Sequence, residues 1–202
     1  MIIDKPAITS ESIHELLASR WSPRAYDGEQ AVTREQITAL LVAARWAPSC
    51  FGKEPWRFIV FDRSRDPDNW RRAYECLADG NRKWAYNAPL LIAALAHTHE
   101  ENREKPNRWA QYDTGAATIS LALQAVALGL IAHQMGGFDG ERLTASFGVA
   151  DGYIPMSITA IGYPGDPKNL PPEFQEREMA ERNRKDIGEI AFAGRWESPY
   201  LD

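Results

Sequence analysis

The chain has 202 residues, of which 44% are hydrophobic and 25% are charged. This composition is typical of one globular domain with a sizeable core, and it excludes a disordered or fibrous protein. The formal net charge of −5 argues against a nucleic-acid-binding protein, which usually presents a basic surface. The two cysteines have no metal-like spacing and the N-terminus has no secretory pattern, so we predict a reduced, cytoplasmic protein.

Two helices are predicted before the first strand. The first begins near Thr9 or Ser10, either of which can cap it, and ends before Pro23. It is expected to bury Ile13, Leu16 and Leu17. The second opens with Thr33 and Gln36 at capping-box spacing and ends before Pro48. Its inward face is predicted to comprise Ile37, Leu40, Leu41 and Ala44.

The remaining elements alternate between strands and helices. Strands are predicted over residues 56–61, 89–96, 130–135 and 153–161, and helices from Pro67 and over Asp139–Phe147. The run from Gly115 to Ala132 is almost free of charge. Its all-round apolar pattern predicts a fully buried central helix from about Asp113 to Leu128, and its polar residues argue against a membrane span. No contact with a membrane is expected.

After Gly162 the chain is rich in prolines and charges and has few apolar anchors. Such a segment cannot build its own core. We therefore predict a single domain with a core over residues 1–162 and an extension over residues 163–202 that packs on the partner subunit of a homodimer. The predicted fold class is α+β, with a mixed, largely antiparallel central sheet flanked by helices.

Motifs for catalysis by protein side chains are missing from the sequence. There is no dinucleotide fingerprint, phosphate-binding loop or nucleophile elbow. His97 and His99 precede Glu100 and Glu101, but a metal site needs a clearer ligand set, so no metal is predicted. The lack of these motifs favours a protein whose chemistry is supplied by a bound cofactor.

Two short basic segments could bind an anion. In Arg20-Trp21-Ser22-Pro23-Arg24 the chain is extended, so Arg20, Ser22 and Arg24 should point the same way and could hold a phosphate or a carbonyl edge. A second basic group lies at Arg182-Asn183-Arg184-Lys185. Taken alone, the first segment is more typical of a solvated basic turn, and the second is also consistent with an ordinary charged tail.

Seven segments, in order along nearly the whole chain, resemble the nitroreductase family. The first, RWSPR, is similar to the family's Arg-x-Ser-x-Arg opening. The others are residues 47–56 (APSCFGKEPW), 80–89, Asp113-x-Gly115 with Gly129-Leu130, 136–139 (GGFD), 160–164 (AIGYP), and 181–196. Gly52 and Glu54 depart from the asparagine and glutamine common in the family, which affects the expected contacts of that loop.

The resemblance implies FMN bound at the interface of a homodimer, with the chemistry on the flavin and no catalytic side chain. Arg20, Ser22 and Arg24 would hold the phosphate, ribityl chain and pyrimidine edge, and Arg182 and Arg184 would complete the phosphate contacts. The remaining cofactor-binding residues implied are Asn81 at the pyrimidine end, the Gly136-Gly137 backbone beside the redox nitrogen, and Pro48, Ser49 and Cys50 from the other subunit.

By the same resemblance, NADH or NADPH would pass hydride to the flavin. Nitroaromatics, quinones or similar flat electrophiles would then occupy the same pocket in turn. Two alternatives stay open on this fold. One is a reductive dehalogenase or another specialised flavin enzyme, for which the loop from His97 to Tyr112 is a candidate lid. The other is a non-catalytic protein that stores or senses FMN.

Overall fold

The computed structural model describes residues 4–99 and 105–200. The helices are α1 (Glu15–Ser19), α2 (Arg34–Arg45), α3 (Pro67–Glu75), α4 (Asp79–Ala85), α5 (Ala110–Ala127), α6 (Gly140–Phe147), α7 (Pro172–Met179) and α8 (Ile187–Ile190). The strands are β1 (Trp56–Asp62), β2 (Leu90–His97), β3 (Ile131–Met135) and β4 (Tyr153–Gly162).

The four strands form one sheet in the order β1-β2-β4-β3, and each neighbouring pair in it is antiparallel. Side chains alternate along β2, so Leu91 and Ala93 join a core with α3, α4, α6 and α7. Leu90 and Ile92 join a second core with α2 and α5 on the opposite face. The predicted α+β class is confirmed. The sheet formed by the described strands is wholly antiparallel, whereas a mixed, largely antiparallel sheet was predicted.

The first two helices differ in how well local signals located them. α2 has the predicted capping box, in which Thr33 accepts from the Gln36 amide at 3.2 Å and Gln36 accepts from the Thr33 amide at 3.0 Å. The predicted start of α1 is wrong. The Thr9 hydroxyl donates to the Glu11 carbonyl instead, a local bond that competes with helix capping. α1 has five residues and buries none of them.

The predicted full burial of α5 is wrong on one side. The sheet and α2 cover its inner side, whereas Tyr112 and Ile119 are 76% and 39% exposed. Val42, on α2, and Trp46, its C-cap residue, are also exposed. We call these four residues the α2–α5 surface. Among the described residues, no helix is long and apolar enough to cross a membrane.

Part of the C-terminal extension belongs to the core of its own chain. Leu170 and Phe174 are buried in the same cluster as residues of β2 and β4. Only the part after α7, where Ile187, Ile190 and Trp196 are exposed, is then available to pack on a partner. Packing of that remaining part on a partner subunit stays a prediction.

Candidate functional site

The segment from Arg20 to Tyr26 follows α1 and lies against the β3–β4 side of the sheet. The Tyr26 hydroxyl donates to the Ala160 carbonyl at 3.0 Å, and the Gly165 amide donates to the Ala25 carbonyl at 2.8 Å. Nδ1 of His133, on β3, hydrogen-bonds the Pro23 carbonyl at 3.0 Å. These bonds fix the backbone that carries the predicted anion-binding side chains.

A buried carboxylate on α7 also holds this segment. Glu178 is 1% exposed, and its Oε1 accepts from the Arg24 amide at 2.7 Å and from the Ala25 amide at 3.3 Å. Its Oε2 lies 3.5 Å from Nη1 of Arg24. Sequence reasoning missed Glu178 because 154 residues separate it from Arg24, and one acidic residue in a charged helix gives no signal.

Three arginines from distant parts of the chain meet beside α1. Burial lowers the pKa of Arg20, and the charges of Arg182 and Arg184 lower it further. Within residues 4–99 and 105–200, the Arg20 guanidinium has one long hydrogen bond, 3.5 Å to Ser22 Oγ, and no carboxylate partner. We call Arg20, Arg182 and Arg184 the basic cluster. Its members repel one another, so an anion placed among them would be stabilised.

The Arg182 guanidinium, which was predicted to contact phosphate, instead donates hydrogen bonds to backbone carbonyls. Nη1 donates to the carbonyls of Lys5 and Ala18, both at 2.7 Å, and Nη2 donates to the Arg20 carbonyl at 2.9 Å. Arg184 is exposed and donates to its neighbour Asn183 at 2.7 Å. The structure thus brings both predicted arginines to Arg20 but directs one of them to backbone carbonyls.

Through Trp84, helix α4 contacts both Arg24 and the middle of β3. The Trp84 ring lies 4.5 Å from the His133 ring, and the Arg24 guanidinium lies 5.9 Å from the Trp84 ring. Burial, with a further contribution from Arg24, lowers the pKa of His133 to about 4. At neutral pH His133 is therefore uncharged, and its Nδ1 can carry the hydrogen donated to Pro23.

At its other end, α4 places Asn81 against the predicted glycine pair. The Asn81 side-chain amide donates to the Gly137 carbonyl at 2.9 Å, and the Ala78 amide donates to the same oxygen at 3.0 Å. A Cβ on Gly137 would lie 3.0 Å from Asn81 Nδ2, whereas nothing lies within 4 Å of one on Gly136. Both glycines are exposed, so their backbone can be approached closely by a flat ligand.

The predicted interface loop is held by α5. The Cys50 amide donates to Oδ2 of Asp113 at 3.0 Å, and the Glu54 amide donates to Ser49 Oγ at 3.1 Å. Asp113 is 3% exposed, and its role was not recognised from the sequence. No hydrogen bond between described residues joins Pro48, Ser49 or Cys50 to the basic cluster.

The same loop has left-handed backbone at Gly52 and Glu54, the positions that depart from the family pattern, and at the neighbouring Phe51. Phe51 and Glu54 have φ of 54° and 45°, and Gly52 between them has φ of 62°. Left-handed conformations are costly for residues with a Cβ and occur where surrounding contacts hold them. Phe51 is 92% exposed, so the strained loop presents an aromatic ring to the exterior.

The histidine pair lies at the end of β2, where the structure describes only part of the ligand set considered from the sequence. His97 stacks on Tyr153 at 4.5 Å. Among the described residues, no three histidine, cysteine or acidic side chains cluster as metal ligands would. Glu100 and Glu101, as well as part of the candidate lid, lie outside the described residues.

Comparison with known proteins gives a consistent set of relatives. The family model described as the nitroreductase family matches residues 17–82 and 67–163. An uncharacterized 15.4 kDa protein of Mycolicibacterium smegmatis is 42% identical over 123 residues, which are 61% of this chain and 81% of that protein. A Streptomyces coelicolor protein named "Putative NADH dehydrogenase/NAD(P)H nitroreductase" is 30% identical over 157 residues, covering 68% and 78%.

The fold also matches a solved structure of an oxidoreductase containing FMN. The TM-score is 0.89 and the sequences are 36% identical, over 95% of this chain and 96% of that chain.

Proposed function

This chain belongs to the nitroreductase family, and from that premise we propose that it is an FMN-dependent oxidoreductase. In this proposal it takes hydride from NADH or NADPH and reduces nitroaromatics, quinones or similar flat electrophiles. The observation that carries the proposal is a chain of contacts: Arg20 and Arg24 lie near enough to His133 for their charges to act on it, the His133 ring contacts Trp84 of α4, and Asn81 of the same helix bonds the Gly137 carbonyl.

The basic cluster fits the phosphate of FMN. A phosphate monoester carries close to two negative charges at neutral pH and has three strong acceptor oxygens. Arg20 and Arg184 are guanidiniums without a carboxylate partner among the described residues, and they stand close enough for their charges to interact. Bringing a phosphate to them would replace mutual repulsion by charge-assisted hydrogen bonds.

The opposite end of the arrangement fits a flat heterocycle. Gly136 offers open space around its backbone, and Asn81 supplies a side-chain amide beside Gly137. These groups would hold the ring by hydrogen bonds and close approach, while Ser22 would lie between them and the phosphate end. When bound, FMN would supply the hydride-transfer chemistry, and these residues would hold and orient it.

The exposed apolar residues support a homodimer. The α2–α5 surface presents Trp46 and Tyr112 at 78% and 76% exposure, which is unusual for the surface of a monomer. The Pro48–Cys50 loop adjoins this surface through Asp113. In a dimer joined there, the loop would be placed to reach the partner's flavin, and the exposed tail after α7 would have a surface to cover.

The absence of a dinucleotide-binding motif agrees with one open pocket that serves the nicotinamide and the acceptor in turn. The visible spectrum of the purified protein, followed by anaerobic addition of NADH and then NADPH, tests the proposal. Flavin bands that bleach with either nucleotide are expected. Bands that persist would favour storage or sensing of FMN, and a protein that neither contains nor takes up FMN would refute the proposal.

The Arg20→Ala substitution tests the phosphate assignment separately. Removing this guanidinium should weaken FMN binding at least about tenfold, since hydrogen bonds between charged groups contribute about 1.5–3 kcal/mol. Turnover of the flavin-saturated enzyme should change less. FMN titration by fluorescence quenching measures the first quantity, and an unchanged affinity would remove Arg20 from the site.

A further inference from the structure

Arg182 lies at the C-terminal end of α1, where its guanidinium bonds backbone carbonyls. α1 has only five residues and no basic residue in its last turn, so its final carbonyls lack the cation that commonly caps a helix C-terminus. Arg182, from the segment after α7, supplies that cation by donating to Ala18 inside α1 and to Arg20 at its C-cap. Its third bond reaches Lys5, so one guanidinium joins both ends of the chain.

The hydrogen bonds of Arg182 depend on the planar, forked shape of its guanidinium. Three of its five N–H groups are directed at three carbonyls of the N-terminal segment at 2.7–2.9 Å. Because Arg20 is one of these acceptors, the bond fixes the backbone from which the Arg20 side chain leaves. Burial lowers the pKa of Arg20 and the charges of Arg182 and Arg184 lower it further, so holding it in this position is unfavourable until an anion binds.

We propose that Arg182 is a positioning residue that caps α1 and sets the direction of Arg20, leaving Arg20 and Arg184 to bind the phosphate. This inference rests on the proposed FMN function for its binding readout, but the cap itself is a property of the protein without ligand. It also predicts that the shape of the Arg182 side chain matters, because a lysine keeps the charge but lacks the rigid fork.

The test compares Arg182→Lys and Arg182→Gln with Arg177→Lys, a matched control on an exposed arginine of α7. Affinities for FMN and for riboflavin, which lacks the phosphate, are measured by fluorescence quenching. We expect both Arg182 variants to lose at least about tenfold in FMN affinity and less than about threefold in riboflavin affinity. Arg177→Lys should bind both ligands like the unaltered protein. Wild-type FMN affinity in Arg182→Lys, with a loss only in Arg182→Gln, would show that charge suffices and would overturn the inference.

Amide hydrogen exchange of the ligand-free protein gives an independent measurement. The Arg20 amide is bonded within α1 to Leu16, and the Arg24 amide is bonded to Glu178. In Arg182→Lys these two amides should exchange faster while those of β2 keep their protection, which would also show that the variant is folded. Unchanged exchange at Arg20 would refute the capping role even if the protein bound no FMN, so this result separates the inference from the proposed function.

Discussion

The Glu178→Gln and Glu178→Ala substitutions probe the contact that holds the anion-binding segment to α7. Glutamine keeps an oxygen that can accept from the Arg24 and Ala25 amides, but it removes the charge and turns an N–H group toward the Arg24 guanidinium, 3.5 Å from the present Oε2. We expect a loss of about 1–2 kcal/mol in the free energy of unfolding. Alanine leaves the half-buried Arg24 amide and the buried Ala25 amide without an acceptor, and the Arg24 guanidinium without its partner. Breaking a buried pair in this way costs about 3–5 kcal/mol.

Thermal unfolding of the ligand-free protein measures both effects. For a chain of this size, about 1 kcal/mol shifts the melting temperature by roughly 2–4 °C. The expected decrease is thus about 2–8 °C for Glu178→Gln and about 6–20 °C for Glu178→Ala. The matched control is Glu173→Gln on the same helix. That glutamate is exposed and pairs with Lys83 at 3.2 Å, so its loss should leave the melting temperature almost unchanged.

Comparing Glu178→Gln with Glu173→Gln shows whether the buried contacts of Glu178 stabilise the fold. Equal melting temperatures for Glu178→Gln and Glu173→Gln would mean that burial and the three contacts of Glu178 add nothing, and the reasoning would be refuted. A decrease in Glu178→Ala without any loss of FMN affinity would separate stability from binding. The carboxylate would then hold the fold without arranging the phosphate site.

Three further changes test other contacts. Because the pKa of folded His133 lies near 4, below its unfolded value near 6.5, unfolding should take up a proton as the pH falls through that window. Stability should then decrease by about 2 kcal/mol between pH 6.5 and 5 in thermal melts, and His133→Gln should remove this part of the pH dependence. Asp113→Ala should lose about 1–3 kcal/mol in denaturant unfolding because the Cys50 amide loses its acceptor, whereas Asp113→Asn keeps one and should lose less than about 1 kcal/mol. Ile119→Asp should raise the dimer dissociation constant at least about tenfold in analytical ultracentrifugation, whereas Arg71→Asp, at an exposed position of α3, should not. A dimer that tolerates Ile119→Asp would place the interface elsewhere.

Local signals located the elements whose determinants lie within a few residues. The Thr33–Gln36 capping box fixed the start of α2, and the unbroken apolar run fixed β2. By contrast, α4 was not predicted as a helix. Its N-cap is Ala78, which makes no side-chain capping bond, and the short helix is held by contacts of Trp84 and Asn81 with other elements.

The apolar pattern of α5 illustrates a limit of periodicity. Ile119 and Ala117 lie on the same helix, yet Ala117 is in the core and Ile119 is 39% exposed. A sequence shows that a face is apolar but does not say whether the same chain or a second copy covers it. The exposed side of α5 is a surface that the proposed homodimer would cover, which would explain why it has the composition of a core.

The two basic motifs were recognised in the sequence, but the different contacts of their arginines were not. Arg24 is paired with the buried carboxylate of Glu178, and Arg182 is directed to three carbonyls. Arg20 and Arg184 have no such carboxylate among the described residues. The contacts of Arg24 with Glu178 and of Arg182 with the N-terminal carbonyls join residues more than a hundred positions apart. The sequence therefore does not distinguish these two arginines from Arg20 and Arg184, which remain available to bind an anion. That difference in contacts is why the phosphate assignment should be most sensitive at Arg20 and Arg184, although all four arginines fit the family pattern equally well.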